Sequence, residues 1–183
     1  PEGRIVSSSL ETFIGSDVSD RSFFRGIIAG RNWSIGELIL GRKTGKPAFT
    51  ISRGIRNEKD ELLGIVAASI EPDRLDGVLG IRRGAPGSEH LSPYGRAGIS
   101  LIDNKGMHLY RYPPTELTWD QRDWLKRFPV MEQSLKGKEV TTTVFTDVTG
   151  QTRLVAFSPV PSIGWVASAS QAEEDVMKAG ISS

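Results

Sequence analysis

The sequence predicts an α+β fold of two tandem modules, each with a central antiparallel sheet flanked by helices. One observation is that apolar residues mostly alternate with polar ones, with a few short helical stretches between them. The other is a repeated segment, because residues 63–69 read LGIVAAS and residues 163–169 read IGWVASA, at an offset of 100 residues. This period is too long for a solenoid unit and fits two modules in a chain of 183 residues.

The first module is predicted to hold one short helix after an extended run at residues 4–9. Ser19 is the predicted N-cap, because a serine hydroxyl can accept the free N–H groups of a first turn, and Asp20 suits the positive end of the helix. Gly30 ends the helix. The apolar side chains between the two ends share one face, namely Phe23, Phe24, Ile27 and Ile28.

Three strand-like segments separated by turn-forming residues follow this helix, at residues 35–40, 48–55 and 62–70. Alternation along the second segment places Thr50 and Ser52 on a face with small and polar side chains. A brief helix is expected at residues 72–79.

The second module is predicted to begin with a β-hairpin, because the turn-forming residues 103–106 separate strands at residues 99–102 and 107–112. A helix should begin at Thr118, where Thr118 and Gln121 fit a capping box, and should end at Pro129. The remaining predicted elements are a short helix at residues 130–135, strands at residues 140–146, 153–160 and 164–170, and a helix that begins near residue 172.

These patterns divide the chain into a first module at residues 1–80, a linker rich in Gly, Pro and Ser at residues 81–98, and a second module at residues 99–183. The turn at Gly3 matches the turn at Gly106, because each precedes an extended segment. No strand precedes Gly3 in this chain. We therefore expect the chain to be a piece of a longer protein and the first module to be truncated at its N-terminus.

The composition excludes several functional classes. Lys and Arg number 23 against 22 Asp and Glu, so there is no basic excess of the kind that nucleic-acid binding requires. The chain has no cysteine, which rules out disulfides, thiolate zinc sites, iron–sulfur clusters and cysteine catalysis. The only histidines are His90 and His108. We therefore predict no catalytic residues, no metal site and no cofactor.

The order of several motifs resembles the double Cache (PDC, PAS-like) sensor modules of bacterial and archaeal histidine kinases, chemoreceptors and diguanylate cyclases. No single motif is decisive, but their order and spacing together are fairly specific and span nearly the whole chain. The segments that carry the resemblance are residues 17–24, 41–47, 63–66, 102–106, 111–113 and 161–166.

This resemblance implies the extracytoplasmic sensing part of a membrane-tethered signalling protein, with a sensor histidine kinase as the leading candidate. Residues 1–80 would be the membrane-distal module and residues 99–183 the membrane-proximal module, with a C-terminal helix that leads to a membrane span. The long N-terminal helix of the family is missing from the chain. The implied partner is a small-molecule ligand in the distal module, membrane helices outside the chain provide the tether, and a homodimer is compatible with this arrangement.

The resemblance also bears on the ligand. The amino-acid-binding branch of the family has an Arg-x-Trp-Tyr element, whereas this chain has Arg21 followed by Ser22-Phe23-Phe24. Ser69 stands where the Asp that pairs with the ligand amine would fall, and a buried ammonium without a carboxylate is costly. We therefore expect a small carboxylate or another small anion rather than an amino acid. The candidate ligand-binding residues supply guanidinium, ammonium and hydroxyl groups and are Arg21, Arg25, Arg42, Thr44, Lys46, Thr50 and Ser52.

Structural roles for these residues remain open from the sequence alone. Arg21 could pair with Asp17 or Asp20, the turn around Arg42 and Lys46 could be a solvated surface, and the hydroxyls could simply pack on a strand. The alternative function is a structural or protein-interaction module, of a chemoreceptor or a diguanylate cyclase, that binds no small molecule.

Overall fold

The structure is a computed structural model that describes residues 2–75, 98–146 and 150–181. It divides into two compact units, Pro1–Arg74 and Leu75–Ser183. The predicted linker at residues 81–98 lies outside the described residues except for Gly98, so the predicted limits of the two modules stay predictions. Residues 147–149, between the predicted strands at residues 140–146 and 153–160, also lie outside the described residues.

The first unit contains one α-helix and four strands. β3 is the central strand of its sheet and pairs antiparallel with β1, β2 and β4. Single 3₁₀ turns occur at Glu11–Phe13 and Pro72–Arg74. The elements are α1 at Ser22–Ile28, β1 at Trp33–Ile35, β2 at Ile39–Leu40, β3 at Pro47–Arg56 and β4 at Leu62–Ile70.

Helix α1 covers the face of the sheet that carries small side chains. Ser34 and Ser52 are buried there, and a Cβ atom on Gly26 of α1 would collide with the Ser34 hydroxyl. The helix buries Phe24 and Ile27 against this face. The absence of large side chains on β1 and β3 at this point therefore lets the helix backbone come close to the sheet.

The other face of the same sheet remains largely exposed although it is apolar. Strand alternation and cross-strand pairing place Trp33, Ile51, Ile55 and Val66 on this face, and each is exposed. Phe49, on the same strand face as Ile51, is buried. Trp33 is therefore a surface residue in the described part of the chain.

The start of the first unit differs from the prediction. Ser19 is not the N-cap, because its backbone N–H donates to the Asp17 carboxylate at 2.8 Å and the two residues form a tight turn. Helix α1 begins three residues later, with Arg21 at the N-cap position and no side-chain cap. The extended run predicted at residues 4–9 is reduced to one isolated bridge between Arg4 and Asp17.

The strand predicted at residues 35–40 is split into β1 and β2. Ile35 pairs with Ile51, and Ile39 pairs with Ala48, so the register changes by one residue between them. The intervening residues form a bulge, which we call the 36–38 bulge. A bulge of this kind turns its side chains away from the regular alternation of the strand.

The second unit is a five-stranded antiparallel sheet in the order β6-β5-β9-β8-β7. Its predicted strands are confirmed to within two residues at either end. Short 3₁₀ turns occur at Asp120–Arg122 and Pro129–Met131. The elements are β5 at Gly98–Ile102, β6 at His108–Tyr112, α2 at Trp124–Arg127, α3 at Glu132–Leu135, β7 at Val140–Thr146, β8 at Thr152–Val160, β9 at Trp165–Ala172 and α4 at Glu173–Ile181.

The single helix predicted from Thr118 to Pro129 is wrong. The capping box forms, with the Thr118 N–H donating to the Gln121 side chain at 2.9 Å. However, only a 3₁₀ turn follows, because the Asp123 carboxylate accepts the Lys126 N–H at 3.0 Å and caps a new helix, α2. The two caps therefore compete, and the chain changes direction between them.

The helices of the second unit cover one face of its sheet and enclose a buried cluster. Trp124 is the central aromatic residue, since its ring lies 5.2 Å from that of Phe128 in an edge-to-face arrangement. The buried members of the cluster are Ile102, Trp124, Met131, Val155, Phe157 and Val166.

The two units share the same local structure at one glycine turn. Gly3 and Gly106 both have positive φ, at 79° and 83°. The residue after each glycine forms an isolated antiparallel bridge with an aspartate, namely Arg4 with Asp17 and Met107 with Asp123. The similarity between the two turns that the sequence predicted is therefore present in the structure, and the fold is α+β with two tandem modules.

Gly106 offers a sharp test of this turn. A Cβ atom there would lie 2.5 Å from the Leu125 Cβ and 3.3 Å from its backbone N, whereas at Gly137, with φ of 87°, nothing lies within 4 Å. Gly137→Ala should cost only the left-handed strain of about 1–2 kcal/mol. Gly106→Ala should cost a further ~1–3 kcal/mol from overpacking. Equal unfolding free energies of the two variants, measured by urea denaturation, would contradict the close packing of Gly106 against Leu125.

The buried imidazole of His108 makes the stability of the second unit depend on pH. The ring stacks on Trp124 at 4.4 Å, and burial, helped by the charges of Arg122 and Arg111, lowers the pKa of His108 to about 3. Between about pH 6.5 and pH 3 the unfolded chain binds a proton that the folded chain does not. The unfolding free energy should therefore fall as the pH decreases through this window.

His108→Phe should remove this contribution, because a phenyl ring keeps the contact with Trp124 and does not titrate. The difference in slope between the variant and the natural chain should approach about 1.4 kcal/mol per pH unit at mid-window. Denaturant titrations at pH 4, 5, 6 and 7 measure it. Parallel pH profiles for the two proteins would show that His108 does not contribute.

Candidate functional site

A narrow crevice opens between the start of α1 and the sheet of the first unit. Its volume is about 10 Å³, which is roughly the space for one water molecule. It combines charged, hydroxyl and apolar groups, and its lining residues are Arg21, Ser22, Phe23, Gly36, Glu37, Ile39 and Thr50.

The 36–38 bulge forms one wall of this crevice. The Gly36 N–H donates to the Thr50 carbonyl at 2.7 Å, which ties the bulge to β3. A Cβ atom on Gly36 would lie 3.4 Å from the Ser22 hydroxyl, so the bulge packs closely against the start of α1. The next residue, Glu37, is half-buried and accepts a hydrogen bond from the Ser22 hydroxyl.

Arg21 directly precedes Ser22, the first residue of α1, and also lines the crevice. Its side chain is 19% exposed, and its Nε lies 3.9 Å from the Asp20 carboxylate, which is itself largely exposed. An ion pair of this length next to solvent holds a guanidinium only weakly. Arg21 is therefore a partly buried cation in the crevice with most of its hydrogen-bonding capacity available.

Thr50 and Ser52 have different roles although they share a strand face. Thr50 lines the crevice and is 8% exposed, and its hydroxyl makes no hydrogen bond to another residue in the described part of the chain. The Ser52 hydroxyl, in contrast, donates to the Phe23 carbonyl at 3.0 Å. Ser52 therefore attaches α1 to the sheet beneath the crevice, and Thr50 is one of the residues that line the crevice.

The remaining candidate residues lie outside the crevice. Arg42 is exposed, donates to the Asp17 carbonyl at 3.1 Å and forms an ion pair with Asp20. The backbone N–H of Ser19 holds the pKa of the Asp17 carboxyl below its usual value. Arg42 thus binds the Asp17 carbonyl and the Asp20 carboxylate, which lie just before α1.

Thr44, Lys46 and Arg25 are also exposed. The Lys46 ammonium lies 3.7 Å from the Glu71 carboxylate, and the Thr44 hydroxyl accepts the Lys46 N–H at 3.3 Å within the turn before β3. Of the seven candidate residues, the structure brings Arg21 and Thr50 together in the crevice. Whether any of the seven binds a ligand stays a prediction.

The sequence analysis missed Ser22 and Glu37. Their proximity depends on the 36–38 bulge, and a bulge results from the pairing of three strands rather than from a local pattern. One local signal was present, since a glycine inside a strand-like run often marks a bulge, and Gly36 lies inside the predicted strand at residues 35–40.

The second unit has a wider depression of about 490 Å³ on the sheet face opposite its buried cluster. Its walls are mostly small and apolar, and the lining residues include Ala156, Ala167, Ala169 and Tyr110. Glu139 is the acidic residue of the rim, and it accepts a hydrogen bond from Ser158 at 3.3 Å. Such a surface offers few groups that could orient a polar ligand.

Two properties of residues 2–75, 98–146 and 150–181 bear on the class of site. No three His, Asp or Glu side chains in these ranges are grouped as they would be around a metal ion. No helix within them has the length and the apolar composition that crossing a membrane requires.

Several solved structures share this fold. The extracellular domain of rpHK1S-Z16, whose name describes it as a histidine kinase, matches with a TM-score of 0.67 and 22% identity over 96% of this chain and 69% of its own. The ligand-binding domain of the Pseudomonas fluorescens chemoreceptor CtaA, in complex with L-isoleucine, matches with a TM-score of 0.58 and 20% identity over 90% of this chain and 62% of its own.

The ligand-binding domain of the Pseudomonas aeruginosa amino acid chemoreceptor PctB, in complex with L-Gln, matches with a TM-score of 0.57 and 17% identity over 92% of this chain. The chain spans 62% of the length of that structure. Comparison with curated protein sequences gives no significant match. The dCache_1 family model, described as "Cache domain", matches residues 1–179, and the chain therefore belongs to the Cache domain family.

Proposed function

We propose that this chain is the extracytoplasmic ligand-sensing domain of a membrane-bound signalling receptor, a histidine kinase, and that its first unit binds a small ligand with a carboxylate group. The observation that carries the proposal is the crevice in which the partly buried Arg21 guanidinium and the buried Thr50 hydroxyl lie together. Kinase activity would belong to another part of the parent protein, and the tether to the membrane and a homodimer are further parts of the proposal.

The chemistry of the crevice supports a carboxylate. A guanidinium offers parallel N–H donors that match the two carboxylate oxygens, and such charge-assisted hydrogen bonds are about twice as strong as neutral ones. The Thr50 hydroxyl can donate to the same group. The ligands named for the CtaA and PctB structures are amino acids, which carry a carboxylate, so this ligand class is consistent with the relatives.

Binding would have to widen the crevice, because about 10 Å³ cannot hold a molecule of several heavy atoms. The 36–38 bulge and the start of α1 are the two walls that would separate. A ligand that binds the open form better shifts the equilibrium toward it by its difference in affinity for the two forms. We propose that the parent protein reads this shift through the C-terminal helix α4.

The small volume of the crevice also favours the competing function, a protein-interaction module without a small ligand. In that case the exposed apolar face with Trp33, Ile51, Ile55 and Val66 would be the functional surface. Ligand titration distinguishes the two functions.

Arg21→Gln should weaken the binding of carboxylate ligands about tenfold or more, because it removes a charge-assisted hydrogen bond and leaves the shape of the crevice similar. Isothermal titration against acetate, propionate, lactate, pyruvate, malate, succinate and the twenty L-amino acids measures this. Arg31→Gln, an exposed arginine just after α1, is the matched control and should leave the affinity unchanged.

Arg42→Gln is measured in the same titrations. Arg42 lies outside the crevice, so a loss of binding in this variant would show that Arg42 belongs to the ligand site. If none of these compounds binds the natural chain at millimolar concentration, the ligand proposal fails and the interaction function stands.

A further inference from the structure

Strand β4 forms an open edge of the sheet in the first unit. In the described part of the chain it pairs with β3 alone, regularly from Phe49 opposite Ile70 to Ile55 opposite Gly64. The side chains of residues 66–69 point alternately to the two faces of the sheet, and all four are exposed. On the side away from β3, alternate residues of β4 therefore present backbone N–H and C=O groups that a further strand can bind.

The second unit shows the corresponding strand with a neighbour on each side. The repeated segments at residues 63–69 and 163–169 relate β4 to β9. β9 pairs antiparallel with β8 on one side and with β5 on the other. Among the described residues, β4 has a counterpart of β8, namely β3, and none of β5. The position beside β4 can therefore receive an antiparallel strand in a geometry that this fold already uses.

Elsewhere in the described ranges, the sheet edges carry features that oppose pairing with a further strand. β1 and β2 are only three and two residues long. β6 carries Arg111, and the registers of β6 and β7 against their neighbours are irregular. Short strands, charged side chains and bulges are the usual protection of a sheet edge. β4 lacks all three, because residues 62–70 contain neither a charge nor a proline and their register shifts only at Ile55 and Arg56.

The β4 strand is complementary to a second copy of itself. If the two strands pair antiparallel along their whole length, Val66 lies opposite Val66 of the second copy on a two-fold axis, and Gly64 lies opposite Ala68. Like charges directly opposite each other would oppose such pairing, and β4 has no charged side chain. The interface is isologous, so two chains close it and leave no β4 edge free.

Pairing would also cover part of an exposed apolar surface. Val66 is 57% exposed and lies on the same sheet face as Trp33, Ile51 and Ile55. In the dimer this face would continue from one copy to the other, with the two Val66 side chains in contact at the axis. Removal of this apolar surface from water favours association.

We infer that two copies of this chain associate through their β4 edges into a symmetric dimer with a continuous sheet. The inference goes beyond the proposed function, which includes a homodimer but gives it no interface. It involves none of the residues that line the crevice, so dimerisation and ligand binding are tested separately.

Sedimentation equilibrium tests the dimer. The natural chain should have twice the 20.0 kDa mass of one chain. Val66→Lys should reduce the mass to that of one chain, because two ammonium groups would lie opposite each other, each beside the cross-strand Arg53. Val66→Thr adds no charge and should remain a dimer. A mixture of the Val66→Lys and Val66→Glu chains should recover the dimer, which a misfolded variant would not do.

A cysteine at the axis tests the register. The natural chain has no cysteine, so Val66→Cys introduces the only thiol. Directly opposite residues of antiparallel strands have Cβ atoms about 4.5–5.5 Å apart, which a small adjustment brings within the range of a disulfide. The thiols of a dimer also meet at a high effective concentration. Val66→Cys should therefore form a disulfide-linked dimer about tenfold faster than Val144→Cys, whose valine is equally exposed on β7.

Four results would overturn the inference. The first is a natural chain with the mass of a monomer, as expected if a strand from elsewhere in the parent protein occupied the edge. The second is a dimer that persists in Val66→Lys, and the third is equal cross-linking of the two cysteine variants. The fourth is loss of the dimer in Ile55→Lys, which places a charge on the same face but on the inner strand β3, since the faces would then stack. None of these results bears on the carboxylate site.

Discussion

The crevice depends on one contact, the close approach of helix α1 to the small-residue face of its sheet. The buried Ser52 hydroxyl donates to the Phe23 carbonyl, and Gly26 lies against Ser34 with no room for a side chain. A larger residue at any of these positions would push the helix outward. Arg21 and Ser22 would then move away from the sheet, because both lie at the start of this helix. A polar contact within the fold therefore sets the geometry of a site several residues away.

The second requirement is the change in register between β1 and β2. Without this change, residues 33–40 would continue as one strand along β3. Glu37 would then keep its place in the regular alternation of side chains between the two faces of the sheet. The one-residue shift produces the 36–38 bulge instead, and the Gly36 N–H bonds to the Thr50 carbonyl. Glu37 then lies against α1. The bulge thus supplies the acidic wall of a crevice whose basic wall comes from the helix.

The two units share a plan but differ in the chemistry that they expose. Each contains a positive-φ glycine followed by an isolated bridge to an aspartate, and each ends its sheet with an antiparallel hairpin. The first unit surrounds its crevice with charged and hydroxyl groups. The second unit presents a broad depression lined largely by alanine and aliphatic side chains, and one of its buried polar residues, His108, is enclosed against Trp124. The two units therefore share a backbone plan but differ in the side chains that it exposes.

The sequence by itself determined most of the strands and the two-module plan. β4 and β7 match the predicted residues, because alternation of side chains in a strand is a local property. Local rules failed where two of them competed, as at Ser19, which gives its N–H to Asp17, and at Asp123, which starts a new helix. Among the candidate residues, Arg21 and Thr50 were identifiable as guanidinium and hydroxyl groups near a predicted helix and strand. Glu37 was not, because only the pairing of β1 and β2 with β3 decides where a bulge forms and which side chains it brings together.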